Sequence, residues 1–289
     1  MKPVWIVEKH MFPEYENELV AAIERSGASC HLFDDTDFIR FNFDRDIKNK
    51  YTNKDCVIFY GSLQRGRNMY DKTDFVPGIW LKIENYECYK YYGMFGKSLL
   101  NSTYYMMGLN DLKRWEPYFQ FHNNEDKIFI RPSNGYKTFP GQIINMNNFD
   151  EEYNTLINSY GGLDMDQLIL VSPYRKIMKE SRFAVIGGKV VDGCVYMIEG
   201  VKTEERIVDD EAFIYANIII EKLERDFPDP AYTLDISQDE DGDYRVIEIN
   251  SLCCASLYYM DKDLIVNAVN ELAEECYADY WDCVDTYQM

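Results

Sequence analysis

Residues 232–258 read YTLDISQDEDGDYRVIEINSLCCASLY, and they decide the fold. Two apolar-rich runs, Tyr232–Ile236 and Tyr244–Ile249, flank an acidic turn that contains Asp241-Gly242. An Asp-Gly pair between alternating apolar runs predicts a β-hairpin. Side chains two apart on a strand face the same way, so Glu248 and Asn250 share a face. Asp235 stands on the partner strand and can meet them. Two carboxylates and an amide oxygen held by rigid strands form an oxygen cage suited to a hard cation. Magnesium in such a cage usually keeps some of its waters and holds the phosphates of a nucleotide.

The same stretch also invites a calcium-loop reading. Ser237, Asp239, Asp241, Gly242 and Glu248 fall at positions 1, 3, 5, 6 and 12 of an EF-hand loop. Position 1 is Ser where the pattern has Asp, and the flanks read as strands where an EF-hand needs helices. Tyr244–Ile249 must be extended for its alternation to make sense, which draws Glu248 away from the acidic turn. The turn itself reads as solvated, and a plain acidic hairpin on an acidic surface is the blander account of the whole stretch.

A chain of 289 residues has room for two domains or one large one. No apolar run approaches the roughly 18 residues of a membrane span. The opening MKPVWIVEKHMFPE holds a short apolar run closed by charges, so it reads as a first strand and not as a signal peptide. The eight cysteines are scattered without a CxxC pair, beside three histidines, which argues against zinc. Reduced thiols and a cytoplasmic location are expected. The formal net charge of −20 repels nucleic-acid backbones and anionic membranes, so neither is expected as a partner. It leaves room for ATP, because local cations and magnesium can hold phosphates, and it suits an amine-bearing partner.

Outward from the hairpin, residues 1–60 predict a βαβ pattern and a parallel sheet: strand Val4–Val7, helix Glu14–Arg25, strand Ser29–Phe33 and strand Cys56–Tyr60. Gly61–Arg67 reads as a loop with two arginines, and Pro77-Gly78 as a turn in an aromatic-rich connector. Then follow a helix over Leu109–Phe119 capped by Asn110, strand Lys127–Arg131, loop Ser133–Phe139, strand Gln142–Ile144, helix Asp150–Tyr160 and buried strand Gln167–Ser172. Ser181–Ile186 and Lys189–Val191 predict a hairpin about Gly187-Gly188, with Val195–Glu199 as a separate strand. A long helix Asp209–Phe227, stopped by Pro228, precedes the acidic hairpin, and Asp263–Glu275 is the last helix.

Two further segments carry chemistry. In IFIRPSNGYKTFPGQII, Arg131 ends a strand and the next loop holds Gly135 and Lys137. Small or polar loop residues let backbone N–H groups approach phosphates while cations neutralise them. Taken alone, this is equally a surface hairpin with two ordinary cations. In LILVSPYRKIMKESRFAVIGGKVV, the apolar strand with Leu170 and Val171 can offer backbone to an adenine edge. Glu180 and Arg182 alternate and share a face. A carboxylate accepts ribose hydroxyls, and the guanidinium fork suits a phosphoryl group or carboxylate. Their plain alternative is a surface ion pair of little worth.

The order of strand, loop and cation, then ExR before GGKVV, then LDI and VIEIN, resembles the ATP-grasp superfamily over roughly residues 105–262. Residues 1–70 resemble the domain that precedes it. The resemblance implies an α/β fold of α+β lobes, an ATP-grasp fold preceded by a βαβ-type domain. Its expected division is an N-terminal domain over 1–104 and an ATP-grasp domain over 105–289. The latter comprises a small nucleotide-covering lobe (105–171) and a large metal-binding lobe (172–289). The family places ATP between two lobes and activates a carboxylate as an acyl phosphate, which an amine or thiol attacks. Carried over, Arg131 and Lys137 hold phosphates, Leu170, Val171 and Glu180 contact the nucleotide, and Asp235, Glu248 and Asn250 ligate Mg2+. Arg182, with Lys137, acts on the transferring group. The implied activity is an ATP-dependent carboxylate–amine ligase releasing ADP and phosphate, the alternative being a non-catalytic nucleotide-binding protein. Arg131 stands before a Pro where the family usually has Lys; this resembles a clade, often phage-encoded, thought to contain peptide ligases. Cys253 and Cys254 follow Asn250 closely, near where the family places substrate, and are either reactive thiols or small packed residues.

Overall fold

Three five-residue apolar runs, Val4–Glu8 (β1), Ser29–Phe33 (β2) and Cys56–Tyr60 (β3), pair in parallel, with β1 between the other two. Parallel strands need covered faces, and Trp5, Ile6 and Val7 of β1 are all buried, as is every residue of β3. Between β1 and β2, helix α1 (Glu16–Arg25) buries Leu19, Ala22 and Ile23, a helical stripe. The computed structural model describes residues 1–34, 47–122, 126–203, 208–223, 227 and 229–287. Pro228 therefore lies outside the described residues.

The chain divides into two compact units. The first comprises Met1–Lys82, Lys179–Ile236 and Glu248–Met289. It holds the parallel sheet, ordered β2-β1-β3-β4 with β4 at Val76–Gly78. Its second sheet has five strands, including β9 (Lys179–Ile186), β10 (Lys189–Ile198) and β11 (Val201–Lys202). With β12 (Ala231–Gln238) and β13 (Tyr244–Ser251), the order is β11-β10-β9-β12-β13. The acidic hairpin is thus flanked by strands, which removes the EF-hand reading. Helix α6 (Asp210–Leu223) packs on β10, and the last helix, α7 (Lys262–Tyr287), packs on α1, β3 and β4.

The second unit comprises Ile83–Met178 and Ser237–Ile247. Its antiparallel sheet is ordered β5-β8-β6-β7, from Tyr105–Gly108 (β5), Lys127–Pro132 (β6), Gln142–Asn145 (β7) and Leu168–Pro173 (β8). Helices α4 (Leu112–His122) and α5 (Phe149–Ser159) supply Leu112, Phe119, Phe149, Tyr153 and Leu156 to its core, against Ile128, Ile130 and Val171 of the sheet.

Several local expectations change. Gly61–Arg67 is not a loop: Ser62 accepts from the Arg65 amide and starts helix α2 (Leu63–Lys72), as an N-cap serine does. Pro77-Gly78 lies in β4, at the edge of the parallel sheet, where a strand tolerates proline. The connector also forms helix α3 (Cys88–Phe95). The two expected strands Lys189–Val191 and Val195–Glu199 merge into one, β10, which ends at Ile198 and is interrupted only by bulges. Gly193 allows this strand to close on β9, since a Cβ there would stand 2.5 Å from the Phe183 ring. The Gly187-Gly188 turn is found as expected, both residues having positive φ. The last helix runs twelve residues past its expected end at Glu275, to Tyr287.

Candidate functional site

In the first unit, four adjacent strands converge on one patch. Arg182 of β9 and Asp235 of β12 form a two-pronged pair, with Nε–Oδ1 and Nη2–Oδ2 both 2.7 Å. Arg182 is 8% exposed and Asp235 1%. On β13, Asn250 donates its amide to Glu248 Oε1 at 3.0 Å and to Asp235 Oδ2 at 3.5 Å. The expected trio of Asp235, Glu248 and Asn250 is therefore brought together. Tyr196 sits at a bulge in β10, where the register slips between Val195 and Met197, and donates to Glu180 Oε2 at 2.7 Å. Its ring stacks on Tyr258, with centroids 4.9 Å apart and planes 4° off parallel. The Arg182 guanidinium lies 5.5 Å from the first ring centroid and 5.1 Å from the second, within cation–π reach of both.

Burial and charge set the electrostatics of this patch. Burial raises the Glu180 carboxyl above its ordinary range; the Tyr196 bond opposes this and the negative charges of Asp235 and Glu248 add to it. Burial works against the charge on Arg182, but the Asp235 pair outweighs it and holds the guanidinium firmly protonated. One arginine thus faces three carboxylates, an excess of negative charge that suits a hard cation. The donor set also fits: two carboxylates, and an amide that now bridges them through nitrogen and presents oxygen when turned over. Arg182 has five N–H donors, of which Asp235 takes two and the Ser256 carbonyl a third, from Nη1 at 3.1 Å. Two remain, one on each terminal nitrogen.

The remaining expected residues lie in the second unit. Arg131 is buried and sits opposite Leu170 in the β6–β8 register. Leu170 and Val171 are fully buried, and β8 pairs with β5 and β6 at both residues. The backbone contact expected of them has both of its edges facing neighbouring strands. Lys137 is exposed and adopts a positive φ of 51°, in the loop between β6 and β7. Gly135 in the same loop passes so close to the Ile83 carbonyl that a Cβ would stand 2.7 Å from it. Gln167 fastens the loop from below: its Oε1 accepts from Thr138 Oγ1 at 2.5 Å and from Asn134 Nδ2 at 3.3 Å.

The structure separates the two cysteine readings. Cys253 is buried and Cys254 partly buried; burial pushes the first thiol up to about 12 and the second well above its ordinary value. A nucleophilic thiol needs the opposite shift. Sequence reasoning missed Tyr196, Gln167, Ser256 and Tyr258. The Tyr196 bulge and the positive φ of Tyr258 leave no periodic signal.

A family model described as ATP-grasp domain, R2K clade family 2, matches residues 109–268, more than half of the chain. The chain belongs to this family. The match reaches from Leu109, in the turn just before α4, into α7, close to the 105–262 span of the sequence resemblance. No curated protein matches the chain by sequence. Solved structures share the ATP-grasp architecture at low identity. One is the D-cycloserine synthetase DcsG, with TM-score 0.64 and 13% identity over 95% of this chain and 99% of that one. A D-alanine–D-alanine ligase from Bacillus anthracis has TM-score 0.62 and 12% identity over 97% and 100%. The macrocyclase MdnC from Microcystis aeruginosa, bound with precursor peptide MdnA, has TM-score 0.57 and 12% identity over 93% and 99%. Likeness at this identity establishes the fold, and that fold is ATP-grasp. No helix among the described residues is long and apolar enough to cross a membrane.

Proposed function

We propose that this ATP-grasp protein is an ATP-dependent carboxylate–amine ligase that forms an acyl phosphate and then an amide or peptide bond, releasing ADP and phosphate. The observation that carries the reading is the Arg182–Asp235 pair set beside Glu248 and Asn250 on one sheet face. Arg182 is aimed before any ligand arrives, and its two remaining N–H groups suit the oxygens of a transferring phosphoryl group. A donor fixed in advance costs no reorganisation when charge develops. Asp235, Glu248 and Asn250 would hold Mg2+, which when bound neutralises phosphate charge. Glu180 accepts a nucleotide hydroxyl, and Arg131 and Lys137 hold phosphates. The structural relatives, a ligase, a synthetase and a macrocyclase bound to a peptide, support a substrate carboxylate and an amine acceptor. In this reading residues 1–104 form the preceding domain and 105–289 the ATP-grasp domain, in the cytoplasm.

Incubation with magnesium-ATP, hydroxylamine and candidate acids, including peptides, should release ADP and trap a hydroxamate. Glu248→Gln keeps the shape and removes the charge, so it should abolish ADP release while leaving the unfolding midpoint unchanged. Formation of AMP would replace phosphoryl transfer by adenylation. Nucleotide binding without turnover across a broad range of acids and amines would favour the non-catalytic binder.

A further inference from the structure

Lys262 is the first residue of α7 and is 1% exposed. A buried ammonium is costly, and at a helix N-terminus it also opposes the helix dipole. Something must offset both. Its Nζ donates to the carbonyls of Tyr258, at 2.7 Å, and Met260, at 2.6 Å. It also stands 4.6 Å from the Tyr15 ring centroid and 3.9 Å from Glu18. The cation therefore gathers carbonyls of Ala255–Asp261, a segment without regular helix or strand.

That segment is the part of the chain that meets the guanidinium. Ser256 gives its carbonyl to Arg182 Nη1, and Tyr258 gives its ring to both Tyr196 and Arg182. Tyr258 does so from a positive φ of 41°, a conformation that an aromatic residue adopts only when its surroundings impose it. A relay of hydroxyls holds the segment's other end. The Leu257 amide donates to Tyr15, whose hydroxyl lies 2.7 Å from that of Tyr60, and Tyr60 donates to the Ala255 carbonyl. The relay fixes residues 255–257. The Lys262 bonds fix residues 258–260, including the strained tyrosine.

We propose that Lys262 is a positioning residue for Arg182: its ammonium imposes the Tyr258 conformation and so holds the ring and the Ser256 carbonyl against the guanidinium. The catalytic consequence rests on the ligase reading, whereas the effect on Arg182 does not. The test therefore has two arms. In protein labelled with 15N-arginine, the Nε proton of Arg182, assigned by its loss in Arg182→Lys, should exchange slowly. Lys262→Met, apolar and similar in length, should speed that exchange about tenfold, the worth of a hydrogen bond to a charged group. Tyr258→Leu keeps the ammonium and removes the ring, and it should do the same, so the proposal stays open to refutation even where Lys262→Met fails to fold. In the second arm, Lys262→Met should lower ADP release by a similar factor with magnesium-ATP affinity nearly unchanged. On an Arg182→Lys background it should cost little more, because one route is lost only once. Unchanged Arg182 exchange in both variants overturns the proposal, and so do turnover losses that multiply in the double variant. Wild-type protein that releases no ADP with any acid and amine removes the ligase reading, while the exchange arm still decides the role of Lys262.

Discussion

In the first unit, Arg182, Asp235, Glu248 and Asn250 come from three adjacent strands, and hydrogen bonds tie them to one another before any ligand is present. In the second, Lys137 stands exposed on a loop whose fastening is a side chain outside it, Gln167. The two regions hold their charged groups in different ways. The first unit's buried pair, Arg182 and Asp235, is also part of the core, so chemistry and folding share those two residues. The loop-borne cation is exposed, and a substitution there is expected to cost the fold little. The lesson is that a buried charged centre is costly to alter, whereas a cation on a fastened loop is a separable device.

The contrast is sharpest at Asp235. Replacing it by Asn leaves a buried guanidinium without its counter-charge, and breaking a buried pair typically costs about 3–5 kcal/mol. Asp235→Asn should therefore lose stability on that scale in urea unfolding and lose ADP release as well. Removing both partners, as Asp235→Asn with Arg182→Met, should recover much of the stability but none of the turnover, since no uncompensated charge is left. A single variant as stable as wild type would break the comparison, because the centre would then not belong to the core.

Much of this was legible in the sequence because strands keep a period of two. The alternation around Asp241-Gly242 gave the hairpin, and the same alternation brought Glu248 and Asn250 to one face with Asp235 opposite. The ExR spacing put Glu180 and Arg182 together for the same reason. The partner of Arg182 was not legible: nothing near it in sequence answers its fork, yet both prongs meet Asp235, fifty-three positions away. Contacts from the chain after Asn250 were hidden as well. The segment from Ala255 to Asp261 has no period to read, and a lysine at a helix start looks like an ordinary surface residue. Gln167 sits one residue before β8, at the strand start that the apolar pattern predicts. Its side chain acts on a loop some thirty residues earlier, and local pattern carries no trace of that.

The loop supplies the second contrast. Lys137→Ala should leave urea unfolding within roughly 0.5 kcal/mol of wild type, as for other exposed positions. It should weaken magnesium-ATP binding about tenfold to a hundredfold, the worth of a charge-assisted contact of roughly 1.5–3 kcal/mol. Gln167→Leu keeps every loop residue and removes the fastening. Calorimetry should show a smaller loss of affinity, and the amides of residues 134–139 should exchange hydrogen faster. Unchanged affinity in Lys137→Ala would return the loop to an ordinary surface hairpin.

The smallest expected effect lies between the two regimes, at Glu180, which belongs to the strand-borne patch but is only partly enclosed. Burial raises its carboxyl above the ordinary 4.5. A carboxyl raised in the folded state favours folding when protonated, so that contribution is fully present below about pH 4.5 and is lost as pH rises through the raised folded value. At neutral pH the ionised group is a burden on the fold. Glu180→Gln is neutral at every pH and still accepts the Tyr196 hydroxyl. It should therefore gain stability relative to wild type at pH 7.5 compared with pH 4, by no more than the roughly 0.5 kcal/mol typical of mild substitutions. Urea unfolding at the two pH values measures the difference directly. A gain that is larger at pH 4, or a loss at pH 7.5, would mean that the Tyr196 bond and the Arg182 charge outweigh burial. Glu180 would then behave as a built-in partner of the arginine centre, as Asp235 does, and the line between core-bound and separable charge would have to be drawn beyond it.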